Sequence, residues 1–274
     1  MALSLESNES NQTERPRYRQ AIFPITVIFV VLAFLAAPWP MAVKAHALLH
    51  GLCAQRPSHT FTFGGQALPF DARMTGIYAG FFLSAIVLVA QGKFRAGKLP
   101  SLRIMGVLAL MLGAMAFDGF NSLFIDLRLP SLYTPSNTLR LATGAGVGIV
   151  LAIALSYLVA ISLWQQPRMN ETAVDGRGLL LLFGAQLPAT IFLNGWGPLA
   201  QPLTLLLLCS ALSVFSLLAL VTLVMALRHD NGFAGPRDVQ AHASVGLALG
   251  LMAMAALAGA RFLYERHFGP SPLT

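Results

Sequence analysis

Charge is scarce in this sequence. Asp, Glu, Lys and Arg make up 11% of its 274 residues, against roughly a quarter in an ordinary soluble domain, and that excludes such a domain. Cysteine is scarcer still, with Cys53 and Cys209 alone. No Cys-x-x-Cys, Cys-x-x-Cys-His or His-Glu-x-x-His occurs, so a paired redox thiol, a c-type haem and a zinc-protease helix are excluded. The chain carries a net charge of +7, yet its basic residues are scattered over short loops. No basic helix with interleaved aromatics is present, and nucleic acid is not an expected partner. No inverted repeat relates the two halves, which counts against the common transporter designs.

What the sequence has is apolar residues, 56% of the total. They fall into runs close to the ~20 residues that a membrane helix needs. Seven spans are expected, roughly 22–43, 75–92, 103–125, 139–164, 178–197, 202–227 and 241–263. The fold class is all-α, a multi-pass transmembrane helical bundle of about seven spans, in contact with the lipid bilayer. The fifth run is interrupted by Pro188, Asn194, Gly195, Gly197 and Pro198. If it is re-entrant, the count falls to six. Residues 1–20 read as a disordered polar tail, 21–264 as a single helical membrane domain and 265–274 as a C-terminal tail. Lys93, Arg95, Lys98 and Arg103 crowd one loop, whereas 196–201 has no basic residue. The positive-inside rule then places the N-terminus in the cytoplasm and the C-terminus outside a plasma membrane.

Polar side chains concentrate in three separated segments, all assigned to the outer face. The 44–74 loop carries His46, His50, Cys53, Gln55, Arg56, His59, Asp71 and Arg73. Asp118 and Asn121 stand three apart near the end of the third span, on one helical face. The fourth span opens at Ser136 or Asn137, either of which suits an N-cap, with Arg140 one turn inside and Thr143 three residues further on, so that both can face the bundle. A carboxylate near membrane depth is costly unless paired. Asp118 is therefore expected to touch Arg73, Arg140 or Asn137.

These segments carry a resemblance. Cys53, Gln55, Pro57, Ala72, Arg73, Thr75, Gly76, Ile77 and Tyr78, then Asp118, Gly119, Asn137, Leu139, Arg140, Thr143 and Gly144, follow the pattern of the DUF2085 family. These are prokaryotic integral membrane proteins of unknown function, and the resemblance covers about residues 50–148. The family pattern has a histidine where this chain has Ala54, and cysteines where it has Asp71 and Met74. The resemblance implies a soft-metal or thiol site that these residues no longer make. What remains is a polar scaffold or an anion-binding pocket. The expected site is Cys53, Gln55, Arg56, Asp71, Arg73, Tyr78, Asp118, Asn121, Asn137, Arg140 and Thr143, with no metal and no cofactor.

Three functions compete. The first is a non-enzymatic protein, an accessory or structural subunit of a larger membrane complex with other membrane proteins as partners. The second is a membrane enzyme or redox-active protein using an outer-face Asp/Arg/Cys site, with Cys53 as nucleophile. The third is a transporter for a small molecule or ion. The Gly144-x-x-x-Gly148 motif and the small residues of 253–260 suit close helix packing.

Overall fold

A computed structural model describes residues 18–269. The sequence-expected tail lies almost wholly outside that range. The described chain is an all-α bundle with eight helices: α1 (Tyr18–Ala36), α2 (Met41–Leu49), α3 (Ala72–Ala90), α4 (Leu102–Asp126), α5 (Asn137–Leu163), α6 (Gly176–Gly184), α7 (Ala200–Ala226) and α8 (Pro236–Phe268). Six stretches are long and apolar enough to cross a membrane: α3, α4, α5, residues 176–193, residues 197–226 and α8. The total reaches seven if α1 and α2 form one broken span, and this is an integral membrane protein.

Two departures from the sequence expectation have local causes. The first apolar run is not one helix. It breaks between Ala36 and Met41 and turns by 114°, where Pro38 and Pro40 remove backbone donors and restrict the preceding residues. The Lys44 ammonium closes the exposed end of α1 by donating to the carbonyls of Phe34 and Ala37. At the other end of the chain, α8 runs on to Phe268, past the boundary at 264, so Glu265 is a helical residue.

The 44–74 segment is also more regular than a loop. Strands β1 (Thr60–Phe63) and β2 (Gln66–Asp71) form an antiparallel hairpin. It turns through Gly64 and Gly65, both with positive φ, which a two-residue turn of this hand requires. The Gly64 N–H donates to the Gly195 carbonyl, 3.2 Å away, and its Cα lies against Gly197. The glycines that interrupt the fifth span thus receive the hairpin tip. That span is α6 followed by a 3-10 segment, Leu187–Leu193.

The most extensive helix interface joins α3 to α5. Gly76 and Gly80 face Gly144, Ala145 and Gly148, so closely that a Cβ on Gly76 would collide with the Leu141 carbonyl and one on Gly144 with that of Arg73. The Gly144-x-x-x-Gly148 motif is spent inside the bundle. Because α3 and α5 both begin at this end, their backbone contact brings the first turns of the two helices side by side. The ends of α4 and α8 arrive at the same level. At the opposite end, strands β3 (Ala96–Lys98) and β4 (Arg168–Thr172) pair in parallel, and Trp164 donates to the Phe94 carbonyl at 2.7 Å.

Candidate functional site

Asp71 ends β2 and starts α3. Its Oδ1 accepts from the Met74 backbone N–H at 2.8 Å, an N-cap bond that satisfies one of the free donors of the first turn. The two positions at which the family pattern has cysteines are therefore joined here by a helix cap. Arg73, in the first turn of α3, reaches across to α4 and donates from Nη2 to the Asp118 carboxylate. Of the three partners expected for Asp118, Arg73 is the one that pairs with it. Asp118 is 1% exposed, and its other oxygen accepts from the Tyr133 hydroxyl at 2.7 Å. Burial and this bond to a carboxylate push the Tyr133 phenol up to about 12, so it remains a donor.

Asn121 ties the loop after α4. Its amide donates to the Tyr133 carbonyl and accepts from the Leu132 N–H, each at 2.8 Å. Ser136 caps α5 by accepting from the Leu139 N–H, and Arg140 donates to the Asn137 carboxamide at 3.0 Å. Arg56 pairs with Asp126 at 2.7 Å. Two expected residues are not brought into this cluster. The Tyr78 ring stacks on Phe70 within the core, and the Thr143 hydroxyl donates back to the Leu139 and Arg140 carbonyls of its own helix.

Cys53 serves as an acceptor. Its Sγ takes the N–H groups of Gln55 and Asp71, each at 3.3 Å. Burial first, and the nearby Asp71 charge second, push the thiol up to about 12. The Gln55 amide donates to the carbonyls of His46 and Pro69, which turns its oxygen toward His50. These bonds pin the end of α2 to the hairpin.

Sequence reasoning missed the contribution of α8. Glu265 accepts from Arg261 at 2.8 Å and lies 2.7 Å from the His50 ring. Arg261 also donates to the carbonyls of His50 and Cys53. The Arg-x-x-x-Glu spacing, which puts the pair on one helix face, was the available signal. Tyr133 was missed as well, since it sits in a loop between the two recognisable motifs.

Arg56, Arg73, Arg140 and Arg261 line one cavity of about 500 Å³, together with Asp71 and His59 among others. Burial first, then the Arg140 and Arg56 guanidinium groups, lower the His59 imidazole below its ordinary range. Among the described residues no group of three His, Cys, Asp or Glu side chains is arranged to hold a metal.

The comparisons bear on this region. Residues 53–154 match a family described as predicted membrane protein (DUF2085). An uncharacterized protein of Methanothermobacter thermautotrophicus is 33% identical over 111 residues, 39% of this chain and 86% of the relative. The chain belongs to the DUF2085 family. No solved structure matches. The DUF2085 segment supplies Arg56, Asp71, Arg73, Asp118, Tyr133 and Arg140, whereas the α8 residues Arg261 and Glu265 lie outside it.

Proposed function

We propose that this DUF2085 protein is a non-enzymatic accessory subunit of a larger membrane assembly. The observation that carries the reading is the exposed apolar surface of α4. Of its 25 residues only Asp118, Asn121 and Ser122 are buried, all near one end and all polar. Along the rest of the helix one narrow face packs Ile104, Leu108 and Met111 on the bundle, and the other faces turn large apolar side chains outward, Leu102 at 85% and Leu110 at 71% exposed. A helix seated on its own bundle by one narrow face, with its fully buried residues polar and its remaining faces apolar and exposed, suits a packing surface for another subunit. Cys53 supports the non-enzymatic part: a buried thiol at about 12 is not a thiolate nucleophile at neutral pH.

A photocrosslinking residue at Leu110, activated in native membranes, should give a discrete adduct with another polypeptide. The same probe at Phe29 on α1, 70% exposed, is the reference for lipid contact. Lipid adducts alone from both positions would overturn the subunit reading. The protein is proposed to lie in the plasma membrane with its N-terminus cytoplasmic and the cavity end outside, supported by the basic 93–103 loop at the far end of the bundle. Impermeant labelling of single cysteines near Lys98 and near Pro198 should then report opposite sides, the former cytoplasmic. The reverse pattern would invert the topology.

A further inference from the structure

Three of the four cavity arginines have carboxylate partners: Arg56 with Asp126, Arg73 with Asp118 and Arg261 with Glu265. Arg140 has none among the described residues, although it is 7% exposed. Its single hydrogen bond goes from Nη1 to a neutral carboxamide, leaving Nε and Nη2 without a protein acceptor. Asp71 lines the same cavity, but it caps α3 and stands beyond ion-pair distance. Arg73 likewise keeps free donors. Its Nη2 serves Asp118 and Ser122, whereas among the described residues Nη1 has no acceptor and Nε is buried without one.

A guanidinium stays protonated under any ordinary condition, so Arg140 is a largely buried cation that no carboxylate contacts among the described residues, with Asp118, Asp71 and Asp126 acting on it only at longer range. Such an arrangement is costly to maintain for packing alone. We propose that this cavity binds a phosphoryl group, with Arg140 as its principal cation and Arg73 as the second donor. A planar carboxylate is satisfied by one guanidinium fork. Guanidinium groups carried on two different helices instead suit a tetrahedral oxyanion with several acceptors. The volume, about 500 Å³, exceeds what an inorganic ion fills and lies within the range of small-molecule sites. Leu123 and Tyr264 add apolar wall, so the group arrives on an organic carrier. That carrier is either a water-soluble phosphate ester or a phospholipid headgroup.

Purified full-length protein is titrated with glycerol 3-phosphate, with its thermal midpoint as the readout. In parallel it is reconstituted in phosphatidylcholine nanodiscs with and without phosphatidic acid, and retained lipid is read by native mass spectrometry. A rise in midpoint identifies a soluble ester, and retention of phosphatidic acid alone identifies the headgroup. Arg140→Gln should weaken whichever binding occurs by about tenfold or more, the loss of a charge-assisted pair. Gly119→Leu is the second variant. Gly119 lines the cavity, and an added Cβ there meets nothing closer than Arg73 Nη1 at 3.9 Å. This variant should fold and lose binding by filling the space. Arg168→Gln, exposed at the opposite end, should change nothing. Binding of neither probe, binding indifferent to both cavity variants, or equal stabilisation by acetate would overturn the proposal.

Discussion

Removing Arg73 should be far more damaging than removing Arg140, although both are arginines in the first turn of neighbouring helices. Asp118 is 1% exposed and owes its compensation to Arg73. Arg73→Leu leaves that carboxylate buried beside a single hydroxyl, from Tyr133. Stranding one member of a buried pair costs about 3–5 kcal/mol. The surviving Tyr133 bond, of a kind worth about 1.5–3 kcal/mol where the acceptor is charged, keeps the loss at the lower end, about 3 kcal/mol. Arg140→Leu removes one bond to Asn137, worth about 1 kcal/mol, and also removes a cation with no carboxylate partner. The two effects oppose each other, so stability should change by no more than about 1 kcal/mol. Adding Asp118→Asn to Arg73→Leu eliminates the stranded charge and should restore most of the loss. The assay is reversible unfolding in detergent, followed by fluorescence of Trp164, which is buried at the opposite end. A larger loss from Arg140→Leu than from Arg73→Leu would refute the assignment of partners, and so would strictly additive losses in the double variant.

Further outcomes follow from the packing and from the perturbed groups. Gly144→Ala drives a methyl group into the Arg73 carbonyl and should cost about 1–3 kcal/mol, whereas Gly113→Ala on α4, where a Cβ meets nothing, should be tolerated; equal effects would show that the α3–α5 contact is looser than described. Cys53, with its thiol at about 12, should resist maleimide at pH 8 in the folded protein and react once unfolded, and rapid labelling of the native state would contradict its burial. Tyr133 has a folded value near 12, above the ordinary 10, so its contribution is fully present below pH 10 and is lost as the pH rises toward 12. Tyr133→Phe should therefore lower stability at pH 8 and flatten the alkaline limb of the stability profile between those values; an unchanged limb would rule this group out as its source.

How much of this could be read from the sequence depended on the range of the signal. Span positions rest on runs of twenty apolar residues and were legible, as was the gathering of Asp118, Arg73 and Arg140 at one end, because helix ends alternate sides and Asp118 needed a cation. The break at residues 37–40 was less visible: an apolar run looks continuous in composition, while Pro38 and Pro40 act through the backbone. The hairpin was hidden for a similar reason. Gly64-Gly65 is its turn signal, but β2 has inward Leu68 and Phe70 within a segment conspicuous for its polar residues. Which arginine pairs with Asp118 could not be derived from spacing, since the choice depends on rotation of α3 about its axis, and that rotation is set by Gly76 and Gly80 against α5.

That rotation also explains how one cluster can hold both structure and a free cation. The glycine contact presses α3 and α5 together until their backbones touch, and Arg73 then points toward α4, where its Nη2 pairs with Asp118. Arg140, one helix over, makes no contact with Asp118 and turns to Asn137 on its own first turn. The caps at Asp71 and Ser136 hold the two first turns in register, while the Arg261 bonds to the His50 and Cys53 carbonyls fix the facing wall. Each carboxylate within reach is thereby committed elsewhere, to Arg73, Arg56, Arg261 or a helix N-terminus. The charge on Arg140 is left facing a cavity because its neighbours are already paired, and this is why its removal should leave the bundle standing while weakening the proposed binding.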